Sequence, residues 1–151
     1  MSVVAAGERT PSFSLSRENE KPFTEEDALG KRTLLVFYPY AFTEVCTDQL
    51  SLYDSLEEEF ASHGVKLYGV SCDASYSQKA FRKHLGVSIE QLSDFEPKGA
   101  ACRAFGVYHP LGCADRALVL LGPDGTVERR YQAASLDELP GANLIFDALA
   151  G

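Results

Sequence analysis

Cys46 is the side chain of this chain best placed to do chemistry. An apolar, strand-like run at 33–38 ends at Pro39, and an amphipathic helix is predicted to begin near Thr43. Cys46 then falls in the first turn of that helix, three residues after the predicted N-cap Thr43. Free backbone N–H groups and the positive end of the helix dipole stabilise a thiolate there. Because the thiolate, not the thiol, is the nucleophile, the position predicts a reactive cysteine.

The spacing Pro-x-x-x-Thr-x-x-Cys, filled by Pro39, Thr43 and Cys46, resembles the active-site motif of the peroxiredoxins. A second match is Arg116, which precedes an apolar run as an arginine does at the start of a strand in that family. Two further similar blocks, Leu92-Ser93-Asp94-Phe95 and Gly106-Val107-Tyr108, lie between Cys46 and Arg116 in the family's order, so the resemblance extends over nearly the whole chain. It implies a thiol peroxidase with Cys46, Thr43, Arg116 and Pro39 at its active site.

The chemistry implied by this resemblance is attack of the Cys46 thiolate on one peroxide oxygen while the other leaves. The product is a sulfenic acid on Cys46. Arg116 would supply a permanent charge and N–H donors, and the Thr43 hydroxyl would hold the peroxide in line. Pro39 would shape the turn and shield the sulfur from water. Neither a cofactor nor a metal is expected.

Other interpretations of these residues are weaker but remain open. A free cysteine is usually a small buried hydrophobe, an isolated Arg116 would be a surface ion-pair partner, and an isolated Thr43 would be only a helix cap. It is their combination that favours catalysis. Two further classes of function are a redox sensor or adaptor that passes oxidation to a partner protein, and a non-catalytic binding module. Consumption of many equivalents of peroxide would distinguish an enzyme from both.

The order of predicted elements indicates an α/β protein. The predicted strands are 33–38, 65–71, 116–121 and 126–131, and the predicted helices are 24–30, 43–62, 77–85, 98–105 and one after Pro140. This order is typical of the thioredoxin-like fold, with a central mixed sheet flanked by helices, and the resemblance adds peroxiredoxin insertions. We expect one domain over 1–151. In parallel α/β sheets the site lies at the carboxyl ends of the strands. Cys46 follows the carboxyl end of strand 33–38, and Arg116 opens an antiparallel strand that begins at the same edge. Cys46 and Arg116 are therefore expected to meet.

Three other cysteines could resolve the sulfenic acid, although each is more simply a packing residue. Cys72 and Cys113 are predicted near the active edge of the sheet, whereas Cys102 lies in a helix expected to pack away from it. Ser51 occupies the place where the bacterioferritin-comigratory (Prx Q) subgroup often carries its resolving cysteine. We therefore favour a one-cysteine cycle, with Cys72 or Cys113 as the alternative. The absence of Cys-x-x-Cys spacing argues against a zinc site and a thioredoxin-type dithiol.

Within the family, the block at 92–100 and the Pro39–Thr43 turn are most similar to the AhpE-like bacterial subgroup. That likeness implies a one-cysteine enzyme that is broad towards hydrogen peroxide, alkyl and fatty-acid hydroperoxides and peroxynitrite. It also implies a homodimer, and a reducing thiol such as mycothiol, mycoredoxin or a thioredoxin. The candidate dimer contacts are aromatic residues in loops near the site, Tyr40, Phe42 and Tyr108. Gln49 departs from the family, which often has glutamate there, and this affects the local hydrogen-bond network.

Bulk properties exclude several other classes of protein. The formal net charge of -8 opposes binding to a phosphate backbone, so no nucleic-acid partner is expected. No apolar run is long enough to cross a bilayer, and the first six residues lack the features of a signal peptide. We therefore expect a cytoplasmic protein without a membrane partner. The length of 151 residues is enough for one domain with a substantial core.

Overall fold

A mixed sheet with helices packed against it forms the centre of the molecule, and the computed structural model describes residues 6–133 and 135–136. The described strands are β1 (Ser14–Arg17), β2 (Pro22–Thr24), β3 (Arg32–Phe37), β4 (Val65–Ser71), β5 (Glu90–Ser93), β6 (Tyr108–His109), β7 (Cys113–Ala114), β8 (Ala117–Leu121) and β9 (Val127–Gln132). The described helices are α1 (Glu44–Ser55), α2 (Glu57–Ser62), α3 (Ser75–Leu85) and α4 (Ala100–Phe105). Among these residues, no helix combines the length and apolar character required to cross a membrane.

Seven of these strands form one sheet in the order β2-β1-β5-β4-β3-β8-β9, and β6 pairs with β7 separately. Strands β3, β4 and β5 are parallel, while β8 runs antiparallel to β3 and β9 antiparallel to β8. The expected α/β class with a central mixed sheet is therefore confirmed. Phe37, the last residue of β3, pairs with Ala117, the first residue of β8. The turn after β3 and the residue before β8 are thus brought to the same edge.

Side chains of β3 and β8 alternate between two buried layers, as the two-residue period of a strand requires. Leu34 and Val36 pack into one hydrophobic cluster, and Leu35 and Phe37 into the cluster on the opposite face. All four are completely buried. Removing a side chain of this kind from water contributes about 2 kcal/mol, so the pattern strongly stabilises one register of β3. Because the register of β3 is determined in this way, the position of the turn that follows β3 is determined too.

The predicted strands at 33–38, 65–71, 116–121 and 126–131 are confirmed to within one or two residues. The single predicted helix at 43–62 is instead two helices, α1 and α2, which meet at Leu56. Helix α3 begins two residues earlier than predicted, and α4 two residues later. The final helix predicted after Pro140 lies outside the described part of the chain.

The prediction of a helix at 24–30 is wrong, since Thr24 ends β2 and residues 25–30 form turns. The Asp27 carboxylate accepts hydrogen bonds from the Thr24 backbone N–H at 2.8 Å and the Thr24 hydroxyl at 3.3 Å. Such side-chain contacts compete with helical bonding, and a segment this short cannot offset the cost of helix nucleation. Strand β5 had no sequence prediction. It is held by parallel pairing with β4, and its Gln91, Leu92 and Ser93 are buried.

Candidate active site

The loop between β3 and α1 is anchored by polar groups from the neighbouring strands. The buried Tyr38 hydroxyl donates a hydrogen bond to Gln91 Oε1 at 2.7 Å. The Ala41 backbone N–H donates to Asp73 Oδ2 at 2.8 Å, and the Ser71 hydroxyl donates to the same oxygen at 2.7 Å. Sequence reasoning missed Asp73. Its position just after the predicted strand 65–71, at the carboxyl edge of the sheet, was the signal that could have identified it.

Phe42 turns the chain into α1 with an unusual backbone conformation. Its φ is 68°, in the left-handed region that a bulky residue rarely adopts. The ring is 54% exposed but packs against Phe81 and His84, with ring centroids 5.1 and 5.8 Å away. A strained residue persists only where surrounding contacts hold it, and such residues cluster at functional sites. Thr43 follows as the N-cap of α1 with an extended backbone.

The Thr43 side chain does not cap the helix, in contrast to one interpretation of the sequence. Its hydroxyl makes no capping hydrogen bond to the first turn of α1. Instead, Thr43 Oγ1 donates to the Tyr40 carbonyl oxygen at 2.9 Å. The hydroxyl proton is therefore used in the hydrogen bond to the Tyr40 carbonyl oxygen. The lone pairs of the hydroxyl oxygen can still accept a hydrogen bond from a ligand.

Cys46 and Arg116 meet at the edge of the sheet. The sulfur of Cys46 lies 3.4 Å from Arg116 Nη1, and Arg116 Nε donates to the Leu136 carbonyl oxygen at 2.8 Å. Cys46 is fully buried, and Arg116 is only 3% exposed. The contact joins residues 70 positions apart, and it follows from the antiparallel pairing of β3 with β8. In this dry environment, a fixed guanidinium acts on the sulfur with little screening by water.

Gln49 completes the buried polar group around the sulfur. Its Oε1 accepts a hydrogen bond from Arg116 Nη1 at 2.6 Å, so one nitrogen contacts both the amide and Cys46. The Nε2 group of Gln49 is buried and has no hydrogen-bond partner among the described residues. Because an amide is neutral, Gln49 orients Arg116 without offsetting the positive charge. The positive charge of Arg116 is therefore left to act on the sulfur of Cys46.

Replacing Gln49 by glutamate is expected to slow peroxide reduction by about tenfold, which corresponds to about 1.4 kcal/mol. The new carboxylate would pair with Arg116 and place a second negative charge beside Cys46, which disfavours the thiolate. The measurement is the second-order rate constant with hydrogen peroxide, together with ultraviolet thiolate absorbance at fixed pH. Asn19→Asp, the same amide-to-acid change at an exposed position, is the control. An unchanged or faster Gln49→Glu variant would contradict this role.

A surface cavity of about 330 Å³ lies beside these residues. Its lining contains Pro39, Tyr40, Thr43, Glu44, Val45, Arg116 and Leu136. One cavity is therefore lined by three of the four residues predicted from the sequence, Pro39, Thr43 and Arg116. The fourth, Cys46, contacts Arg116. A small ligand in this cavity would lie between the Thr43 hydroxyl and the Arg116 guanidinium.

The other cysteines are buried and free, as Cys46 is. Cys72 and Cys102 pack in the large cluster that contains Phe37, whereas Cys46 packs in a separate cluster with Tyr38. The sulfur atoms of Cys72 and Cys102 are 4.0 Å apart, a contact that sequence reasoning missed. Burial raises the pKa of Cys113, and a hydrogen bond with the Tyr40 hydroxyl partly opposes this. Within the described residues, the side chains grouped closely enough to hold a metal are Cys72, Asp94 and Cys102, which do not include Cys46.

Comparison with known proteins identifies the family. The model of the AhpC/TSA family matches residues 6–130. Alkyl hydroperoxide reductase E of Mycobacterium tuberculosis is 31% identical over 108 residues, which are 71% of each chain. The putative peroxiredoxin bcp of Haemophilus influenzae is also 31% identical, over 72% of this chain and 68% of its own. The structure of Xanthomonas campestris peroxiredoxin Q has a TM-score of 0.79 at 28% identity, covering 91% of this chain and 89% of that one.

The peroxiredoxin Q structure matches the thioredoxin-like sheet described above. The family model spans both α1, which carries Cys46, and β8, which follows Arg116. The relatives are themselves named as peroxidases of this type. The chain belongs to the AhpC/TSA family and is a thiol peroxidase, a peroxiredoxin.

Proposed function

We propose that this peroxiredoxin reduces hydrogen peroxide, alkyl hydroperoxides and peroxynitrite through the thiolate of Cys46. The observation that carries the proposal is the 3.4 Å contact between the Cys46 sulfur and Arg116 Nη1, both buried beside a cavity. A permanent cation at this distance favours the thiolate and also the transition state, in which charge moves from sulfur to oxygen.

The cavity suggests a pose for the substrate and the role of each side chain. A hydroperoxide would donate its O–H to Thr43 Oγ1, whose own proton is engaged by the Tyr40 carbonyl. The Cys46 thiolate then attacks the hydroxyl oxygen, an S–O bond forms and the O–O bond breaks. The hydroxyl group stays on the sulfur, and the leaving oxygen, stabilised by Arg116, takes a proton from solvent and departs as an alcohol or water. Pro39 lines the cavity and limits the access of water to the sulfur.

An external thiol is the proposed reductant of the resulting sulfenic acid. Two observations support an external reductant. Cys72 and Cys102 pack in a different hydrophobic cluster from Cys46, and Ser51 stands where the Prx Q subgroup often carries its resolving cysteine. The reductant would be a small thiol such as mycothiol, or a mycoredoxin or thioredoxin-type protein. The four free cysteines suit a reducing compartment such as the cytoplasm.

After one equivalent of peroxide, we expect a sulfenic acid on Cys46 that a dimedone-type reagent traps. Intact mass and peptide mapping under non-reducing conditions would locate the adduct. The same treatment of Cys46→Ser should give no adduct, and Cys113→Ser should behave as the wild type. A rapid Cys46–Cys72 or Cys46–Cys113 crosslink in place of the adduct would contradict the one-cysteine cycle. Absence of any oxidation at Cys46 would contradict the peroxidase mechanism itself.

The proposed homodimer uses the exposed apolar surface next to the active-site loop. Tyr40, Phe42 and Leu111 are 40%, 54% and 69% exposed, and the Tyr40 hydroxyl donates to the Leu111 carbonyl oxygen at 3.4 Å. Exposed aromatic and aliphatic side chains in one patch are typical of interface centres. Tyr108, another candidate, is half-buried under the guanidinium of Arg103, 4.2 Å from its ring centroid, which suits the edge of the interface.

Sedimentation of the full chain is expected to show a dimer that Leu111→Glu weakens by about tenfold or more in Kd, because the variant places a charge within an apolar contact. Leu29→Glu is the matched control. Leu29 is similarly exposed, but it lies beside the β8–β9 turn, at the opposite end of β8 from Arg116. A wild-type monomer at high concentration, in both the reduced and oxidised states, would refute the interface.

A further inference from the structure

A second pair of thiols lies away from Cys46. Cys72 follows the end of β4, Cys102 lies in α4, and their sulfur atoms are 4.0 Å apart although the residues are 30 positions apart in sequence. We propose that Cys72 and Cys102 form a second redox dithiol, which closes reversibly into an intramolecular disulfide by exchange with small-molecule disulfides. This pair acts independently of the peroxide chemistry at Cys46.

The geometry needs little change for a bond to form. A disulfide requires sulfur atoms about 2 Å apart, so the closure of the present gap can be shared by rotations of both side chains. Cys72 is 6% exposed, whereas Cys102 has no exposed surface. An oxidant entering from solvent therefore meets Cys72 first. Cys102, packed behind it, is placed to displace whatever group becomes attached to the Cys72 sulfur.

The environment makes Cys72 the more acidic of the two thiols, which suits its role as the first to react. The hydrogen bond with Cys102 lowers the pKa of Cys72. The same contact, burial and the nearby Asp94 carboxylate raise the pKa of Cys102. Cys72 is thus the better nucleophile, and Cys102 keeps its proton until the second step.

Asp94 holds Cys102 in position beside Cys72. Its carboxylate is buried, and its two oxygens accept hydrogen bonds from the backbone N–H groups of Ala101 at 3.0 Å and Cys102 at 2.8 Å. These contacts fix the start of α4 and so direct Cys102 towards Cys72. The same three side chains could approach a metal ion, but a structural zinc site takes four ligands, and this carboxylate is already engaged by the helix. The arrangement therefore favours the dithiol.

The two steps conserve atoms and electrons. The Cys72 thiolate attacks one sulfur of a small disulfide, forms a mixed disulfide and releases one thiolate. Cys102 then loses its proton, attacks the Cys72 sulfur and releases the second thiolate. The protein loses two electrons to the small disulfide, which is reduced to two thiols. An excess of dithiol reductant reverses both steps.

The test equilibrates the folded full chain in buffers of reduced and oxidised glutathione, blocks the remaining thiols and maps the tryptic peptides. Trypsin separates the four cysteines, since Cys46, Cys72, Cys102 and Cys113 fall in peptides 33–66, 67–79, 99–103 and 104–116. We expect a crosslinked 67–79/99–103 species that increases with the share of oxidised glutathione. Dithiothreitol should remove it. The oxidised chain should also have a higher Tm, because the bond constrains the unfolded chain.

Variants separate this pair from the peroxidase. Cys46→Ser and Cys113→Ser should both form the crosslink as the wild type does, whereas Cys102→Ser should stop at a Cys72–glutathione adduct. Because Cys102→Ser could disturb the core, circular dichroism must show that this variant is folded. The peptide map of the wild-type chain tests for the crosslink without relying on the variant. The proposal is overturned if the folded chain forms no such crosslink, or forms it only in denaturant. It is equally overturned if native mass spectrometry finds zinc retained on both thiols.

Discussion

Replacing Cys46 by serine is expected to reduce peroxide consumption to the uncatalysed background while leaving the chain folded. A serine hydroxyl is not ionised at neutral pH, so it could not attack the peroxide even with Arg116 in place. The change is nearly isosteric, and the hydroxyl oxygen can still accept the Arg116 N–H bond that the sulfur receives at 3.4 Å. The expected effect is therefore catalytic and not structural. The measurement is peroxide loss over many turnovers with a dithiol reductant.

Two controls make this result specific to Cys46. Cys72→Ser and Cys113→Ser remove other buried thiols and should keep most of the activity. Thermal unfolding of each variant establishes that it is folded at the assay temperature. Sustained turnover by Cys46→Ser would assign the nucleophile to another cysteine, and equal loss in all three variants would indicate a general structural effect.

Replacing Arg116 by methionine is expected to slow the reaction with peroxide by at least about a hundredfold, the scale of losing one fixed donor to the transition state. Methionine retains much of the length of the side chain but neither its charge nor its N–H groups. Cys46, Gln49 and the Leu136 carbonyl would all lose their contact with the guanidinium. The thiolate fraction at fixed pH should also fall. Stopped-flow rates and ultraviolet absorbance measure the two effects separately.

The matched control is Arg129→Met, which removes an exposed arginine from β9 and should leave the rate unchanged. Arg116→Lys keeps the charge without the planar fork, so an intermediate rate is expected. These variants distinguish loss of charge from loss of packing. An Arg116→Met enzyme with the wild-type rate and the wild-type thiolate absorbance would contradict the proposed role.

The sequence by itself determined the features that depend on nearby residues. The apolar run that becomes β3, the break at Pro39 and the start of α1 at Thr43 all follow from local pattern, and they place Cys46 in the first turn of a helix. Local pattern also predicted the strands at 116–121 and 126–131, which pair as β8 and β9. The resemblance to peroxiredoxins then identified the arginine as the partner of the cysteine, and the order of the strands predicted that the two residues meet at one edge of the sheet.

The tertiary structure decided the features that depend on distant partners. The segment after Thr24 has helical composition but forms turns around Asp27, and β5 exists because β4 lies beside it. No local pattern could show that Gln49 would accept a hydrogen bond from Arg116, 67 positions away. Contacts of this kind arise only when strand pairing brings separate segments to one edge.

The same reason explains why the partner of Cys102 was missed. The spacing of Cys102 from the other cysteines carries no signal, and its position in a helix does not show which thiol it faces. Strand pairing and the Asp94 contacts bring its sulfur to 4.0 Å from that of Cys72. The sequence therefore determined which thiol begins a helix, whereas only the packed sheet decided which thiols face each other, because the first is a property of neighbouring residues and the second of the whole chain.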